Sequence, residues 1–363
     1  MKRAAVSQPE VATLFIAASE QDSNLYYATR FIAPDSFIYL EIKGERLLVM
    51  SDLEMDRARS QASVDRVLSY SELEQKAKEQ GIKDPTTVDI VHVVLKESKI
   101  RRLSVPANFP FIHATRLQEL GYSLKPKRDP FYEQRVVKTA EEVRHIEAAQ
   151  RATEEAVAAA HAVLRQATIK NSELWFEGAV LTSERVKKLI NVKLMERDCV
   201  AQHTIVAGGE QACDPHNEGS GPLPADRSII FDVFPRSAVS RYFADMSRTV
   251  IRGAASPELK RLYQAVKDAQ EEAIDKVKDG ADGMKIHQGI CTRSRRLATR
   301  LAWSMGACRA ISMEPAMAWG WTFTNRLVSA EPALFCKKAM SSRLNRDSII
   351  RVWAQSGSKT WCW

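Results

Sequence analysis

Short apolar runs separated by polar turns fill the first third of the chain. Residues 12–18, 36–42 and 45–50 have the length and the β-branched and aromatic content of strands, and Lys43-Gly44 between the last two predicts a hairpin turn. Residues 101–106 begin another strand, while 71–79 and 114–120 carry helical spacing. A polar stretch with two prolines, 124–130, reads as a linker. A long helix then opens at Thr139, with Glu142 completing a capping box and Val143, Ile146, Ala149, Ala152, Ala156 and Val157 repeating along one face. A second helix is expected over 175–192. The strand 204–207 then ends at Gly208-Gly209, before a loop that carries His216. Ser256-Pro257 opens a further helix whose apolar face runs from Leu259 to Val277; it stops at Asp279-Gly280, and another starts near 285.

Between these helices lie two short apolar runs, 228–231 and 242–244, joined by a polar connection with Pro235 and Ser237. They predict two antiparallel strands. Each ends on one aspartate, Asp232 and Asp245, in apolar surroundings. A buried carboxylate is costly unless paired, hydrogen-bonded or metal-bound, and two together repel. Spacing alone leaves two readings open. One is a shared divalent cation; the other is a capping role with ion pairs to Arg236, Arg241 or Arg248.

Composition changes this picture at one place only. A length of 363 residues with 45% hydrophobic and 27% charged content suits a soluble chain of two domains. There is no apolar run of membrane length and no leader-like pattern at the start, so a cytoplasmic protein without a membrane partner is expected. Six cysteines without a CxxC pair argue against a disulfide framework or a zinc knuckle. Gly208-Gly209 is not followed by the Lys-Ser/Thr of a phosphate loop, and His203 and His287 read as structural or solvated. The net charge of +8 is uneven. Residues 292–363 hold 12 Lys+Arg against 3 Asp+Glu, while the other 291 residues hold 41 against 42. Six of the seven tryptophans lie in the same tail. A basic, Trp-rich tail would suit nucleic acid, but the origin argued below leaves it no selected surface, so no nucleic-acid partner is expected.

The residues around the two aspartates carry more than their spacing. Asp232 followed by Asp245-Met-Ser-Arg-Thr249 resembles the Asp…Asp-x-[Ser/Thr]-Arg-Thr signature of the M24 metallopeptidases, the creatinase, aminopeptidase P and prolidase relatives. Lys138-Thr-Ala-Glu-Glu142 is similar to the opening of the helix that begins their catalytic domain. The segment 205–216 resembles their Ile-Val…Gly…His stretch, and 22–31 their N-terminal Asn-Leu-x-Tyr-Leu-Thr-Gly-Phe, with Arg30 in place of the glycine. The resemblance implies an α/β (α+β) chain: a creatinase-type N-terminal domain (1–130), the first part of a pita-bread catalytic domain (131–291), and a tail (292–363) outside the pattern. It implies Asp232 and Asp245 as metal ligands and His216 as a catalytic residue contacting substrate. Its cofactors would be two divalent ions (Mn, Co or Zn). The reaction would be exopeptidase cleavage of a peptide before a proline at the second position. A homodimer is compatible with it; a non-catalytic pita-bread binding module is the alternative.

The family's remaining ligands, one histidine and two glutamates, are missing where they should follow. The genetic code supplies a reason. The family motif His-Gly-Thr-Gly-His-Gly-Leu-Gly-Leu-Asp-Ile-His-Glu, written in codons and read one base later, becomes Met-Glu-Pro-Ala-Met-Ala-Trp-Gly-Trp-Thr-Phe-Thr-Asn, which is residues 313–325. The same shift turns a segment containing both glutamate motifs into residues 344–363. The tail is therefore expected to be an out-of-frame translation beginning near Cys291–Thr292, unable to hold the two metals, and Glu314 and Glu331 are accidental. Without the period-two pattern of strands, the chain beyond Cys291 is expected to be protease-sensitive.

Overall fold

The computed structural model describes residues 10–293, apart from Asp279. The expectations for the tail, including Glu314 and Glu331, lie outside these residues. The chain divides into two units between Arg135 and Val136.

The first unit runs β1 (Val11–Ala17), α1 (Ser23–Thr29), β2 (Phe37–Ile42), β3 (Glu45–Met50), α2 (Met55–Gln61), β4 (Arg66–Ser69), α3 (Tyr70–Glu79), α4 (Thr87–Glu97), β5 (Arg102–Pro106), α5 (Phe111–Glu119) and β6 (Ser123–Lys127). Its six strands form one sheet in the order β4-β3-β2-β1-β5-β6, in which β2 runs against the rest. Both faces are covered. Leu14, Leu40, Val49 and Leu103 pack with Leu73, Ile90 and Val94 on one side. Phe15, Tyr39 and Leu48 pack with Phe31, Met55 and Phe131 on the other. Lys43 and Gly44 both have positive φ, the primed turn that matches strand twist. The expected linker is in part a strand: residues 123–127 pair with β5, and Pro126 and the lysines suit an edge position.

The second unit opens with α6 (Ala140–Gln166), capped at Thr139 by the reciprocal bonds expected from sequence. The helix expected over 175–192 begins later. Residues up to 180 form a small sheet of β7 (Thr168–Lys170), β8 (Glu173–Phe176) and β9 (Ala179–Val180), and only then does α7 (Ser183–Met195) start at the Thr182 cap. The cause is local: Asn171-Ser172 and Glu177-Gly178 all take positive φ, closing two tight hairpins around the β-forming Trp175-Phe176. After β10 (Cys199–Val200) come β11 (Ile205–Gly208), β12 (Ser228–Val233), β13 (Arg236–Ser237) and β14 (Met246–Ile251), then α8 (Pro257–Lys276), capped by Ser256. A last described helix covers 283–293.

The sheet β11-β12-β14 carries the hairpin. One of its faces buries Val206, Ile229, Phe231 and Val233 against α6 and α7 residues such as Ala156, Leu164, Val186 and Ile190. Alanines at 149, 152, 156 and 160 keep this face of α6 low, so the helix can lie close to the sheet. The connection from β11 to β12 doubles back. Glu218 accepts from the Val206 amide at 3.0 Å, and Gly219 lies so close that a Cβ there would sit 1.9 Å from the Val206 carbonyl oxygen.

Candidate metal centre

Strands β12 and β14 pair antiparallel, with Asp232 opposite Ser247 and Val233 opposite Met246. The second strand therefore begins at Met246, not at the expected 242–244, where Phe243 makes only an isolated bridge to Arg236. Two polar pairs, Ser237 with Tyr242 and Pro235 with Ala244, hold that stretch as a loop instead. Successive strand side chains point to opposite faces. Phe231 and Val233 are committed to the helix side, which turns Ile230 and Asp232 to the other. Asp245 precedes the ladder by one residue and Ser247 by two positions, so it shares the Asp232 face.

The geometry brings the two aspartates together in a desolvated place. Burial raises the pKa of Asp245 well above the usual carboxylate range, and the charge of Asp232 adds to it. Burial also raises that of Asp232, while the Ser247 hydroxyl, donating to Asp232 Oδ1, pulls the other way. Thr249 lies on the same face, opposite Ile230, and its Oγ1 is buried with no partner among the described residues. Of the arginines in the rival reading, Arg248 donates to the Ser247 carbonyl and Arg236 lies over the Phe243 ring. Ser247 and Thr249 were legible only as part of the motif; the bond from Ser247 to Asp232 and the place of Thr249 on that face depend on register.

His216 sits on an exposed turn beyond the 3-10 segment Gly209–Cys213, its amide donating to Asp214 Oδ1 at 3.0 Å. The return of the chain at Glu218, beside Val206, brings this turn back along β11, whose first residue Ile205 is the partner of Asp232. His203 pairs with Glu218 at 2.6 Å, and His287 lies 3.5 Å from Cys291 Sγ.

Two oxygen-donor side chains on one desolvated face suit a hard or borderline divalent ion. Among the described residues no third His, Cys, Asp or Glu joins them in a group. A closed protein centre takes four or more donors. The described residues thus bring two carboxylates to one face and do not by themselves fit a two-metal centre.

Residues 144–308 match metallopeptidase family M24, a little past the break expected near Cys291–Thr292. The Xaa-Pro aminopeptidase 2 of Streptomyces coelicolor is 33% identical over 135 residues, 37% of this chain and 26% of that protein. The chain thus matches about a quarter of that relative's length. The Xaa-Pro dipeptidase of Pyrococcus horikoshii is 23% identical over 73% of this chain and 68% of its own. In fold, the chain is similar to the Xaa-Pro dipeptidase from Bacillus anthracis (TM-score 0.65, 16% identity, 79% of this chain and 73% of that one). It is also similar to the prolidase from Pyrococcus furiosus (TM-score 0.61, 17% identity, 80% and 76%).

Proposed function

We propose that this chain derives from a metal-dependent exopeptidase that hydrolyses the bond before proline, and that as written it does not catalyse the reaction. The observation that carries the reading is the aspartate pair on one desolvated sheet face. Two carboxyls brought together away from water resist ionisation, and a bound dication relieves both costs at once. Asp232 and Asp245 would hold the metal side, with Ser247 orienting Asp232, and His216 would stabilise the oxyanion of the attacked peptide. When bound, divalent ions of this kind lower the pKa of a water and polarise a carbonyl. The names of the relatives support Xaa-Pro peptides as the substrate class. The donor set of the described residues supports the loss of activity: at most four carboxylate oxygens, without a grouped imidazole or bridging glutamate among them, do not hold two ions. That shortage also favours a second reading, a non-catalytic binding module.

Restoring one reading frame near codon 291 is expected to give Mn²⁺- or Co²⁺-dependent release of the residue before proline, absent from the chain as written. In the repaired protein Asp245→Asn should cost more than the roughly 100-fold that loss of a supporting group around a metal ligand costs. Equal turnover without Asp245, or in excess chelator, overturns the peptidase reading. A repaired protein that folds but retains no metal favours the binding module.

A further inference from the structure

Asp245 lies just outside the strand ladder, whose first pair is Val233 with Met246. Register therefore does not fix it as it fixes Asp232. Three residues earlier, the Tyr242 hydroxyl donates to Glu142 Oε1 at 2.6 Å. Glu142 stands in the first turn of α6 and is only 4% exposed. Its other oxygen, Oε2, accepts from the Thr139 amide at 2.8 Å, and the Thr139 hydroxyl accepts from the Glu142 amide at 3.2 Å. The Tyr242 ring also stacks on His145, one turn along the same helix, with centroids 5.5 Å apart and planes at 24°. At its outer end the loop is tied by β13 to β10 and by the Ala238 amide to the Asp198 carbonyl at 2.8 Å.

We propose that Tyr242 and Glu142 are positioning residues that strap the loop to the first turn of α6 and so hold Asp245 on the face of Asp232. The capping box of that helix thereby has a second duty. The carboxylate that closes the helix end also anchors the segment leading into the second metal ligand. This rests on reading Asp245 as a ligand, but the strap itself can be tested without any metal.

The full chain is compared with its Tyr242→Phe, Glu142→Gln and Thr139→Ala variants by hydrogen exchange and mass spectrometry. A hydroxyl bond to a buried carboxylate corresponds to about tenfold or more in local opening. Tyr242→Phe should therefore speed exchange of amides 243–247 by that factor, with the α6 interior and the first unit unchanged. Glu142→Gln keeps an acceptor for the hydroxyl and should largely preserve protection. Thr139→Ala should loosen the start of α6 more than the loop. Unchanged exchange at 243–247 in Tyr242→Phe, or a uniform rise across the second unit, overturns the proposal. In the frame-restored chain Tyr242→Phe should lower kcat with KM within about twofold, and an unchanged kcat there also overturns it. A frame-restored parent without activity counts against the peptidase reading, and the exchange data then decide the strap alone.

Discussion

His161 takes no part in the carboxylate face, yet it is the most exposed to pH of the residues behind it. It sits on α6 with its ring edge-on to Phe231 at 5.4 Å, and its Nε2 is buried without a partner among the described residues. Burial first, then the charges of Arg248 and Arg165, hold its pKa below the ordinary histidine value. The folded state thus binds fewer protons than the unfolded one between the two pKa values. Stability is present above the unfolded value of about 6.5 and is lost as pH falls through the lowered folded one. Replacing the imidazole by a hydrocarbon removes both the titration and an unpaired polar atom, a gain of about 1 kcal/mol. In a urea titration read by pulse proteolysis, His161→Leu should raise the midpoint of the second unit, more at pH 5.5 than at pH 7.5. A lower midpoint at both values would show that packing against Phe231 outweighs the orphaned nitrogen.

Among the elements, the end of α1 shows a departure with a measurable cost. Arg30 occupies the left-handed position that ends the helix, φ 51°, and its amide donates to the Tyr26 carbonyl. Glycine takes this conformation freely, whereas a side chain costs roughly 1–2 kcal/mol. Arg30 recovers part of that, because its guanidinium lies 4.8 Å from the Tyr27 ring centroid, worth about 0.5 kcal/mol at an exposed site. Glycine also loses more freedom on folding, about 0.4–1 kcal/mol. The balance centres on a gain of about 0.3 kcal/mol for Arg30→Gly and reaches about 1 kcal/mol at most, a small rise in the denaturation midpoint of the first unit. A fall would mean that the contact with Tyr27 outweighs the backbone strain.

At the scale of the whole molecule, charge and metal count separate the readings. The first 291 residues are nearly neutral, and all the excess positive charge lies in the last 72. The change of reading frame expected from the sequence near Cys291 would account for so sharp a break, which selection on a surface would not. The corresponding expectation is a stoichiometry. After dialysis against Mn²⁺, elemental analysis should find less than one ion per chain as written and two per frame-restored chain. Two ions on the chain as written would overturn the frame reading, since the aspartate pair lacks the donors to hold them.

The sequence by itself determined those features whose causes are local. The Thr139–Glu142 box, the Ser256-Pro257 start and the Lys43-Gly44 turn each depend on residues within a few positions of one another, and each formed as read. The mixed α/β class and the resemblance to family M24 were legible for a similar reason, because the residues around Asp232 and those from Asp245 to Thr249 each form a contiguous stretch. Tertiary structure decided what depends on long-range partners. Strand β14 starts at Met246 because its ladder with β12 is set by burying Phe231 and Val233 against the helices. Trp175 is a local exception: two adjacent turns of positive φ close hairpins around it, and helical spacing alone does not reveal them. The bond from Tyr242 to Glu142 spans 100 positions. No periodicity encodes such a contact. It arises only when the packing of α6 against the sheet has brought the two segments side by side.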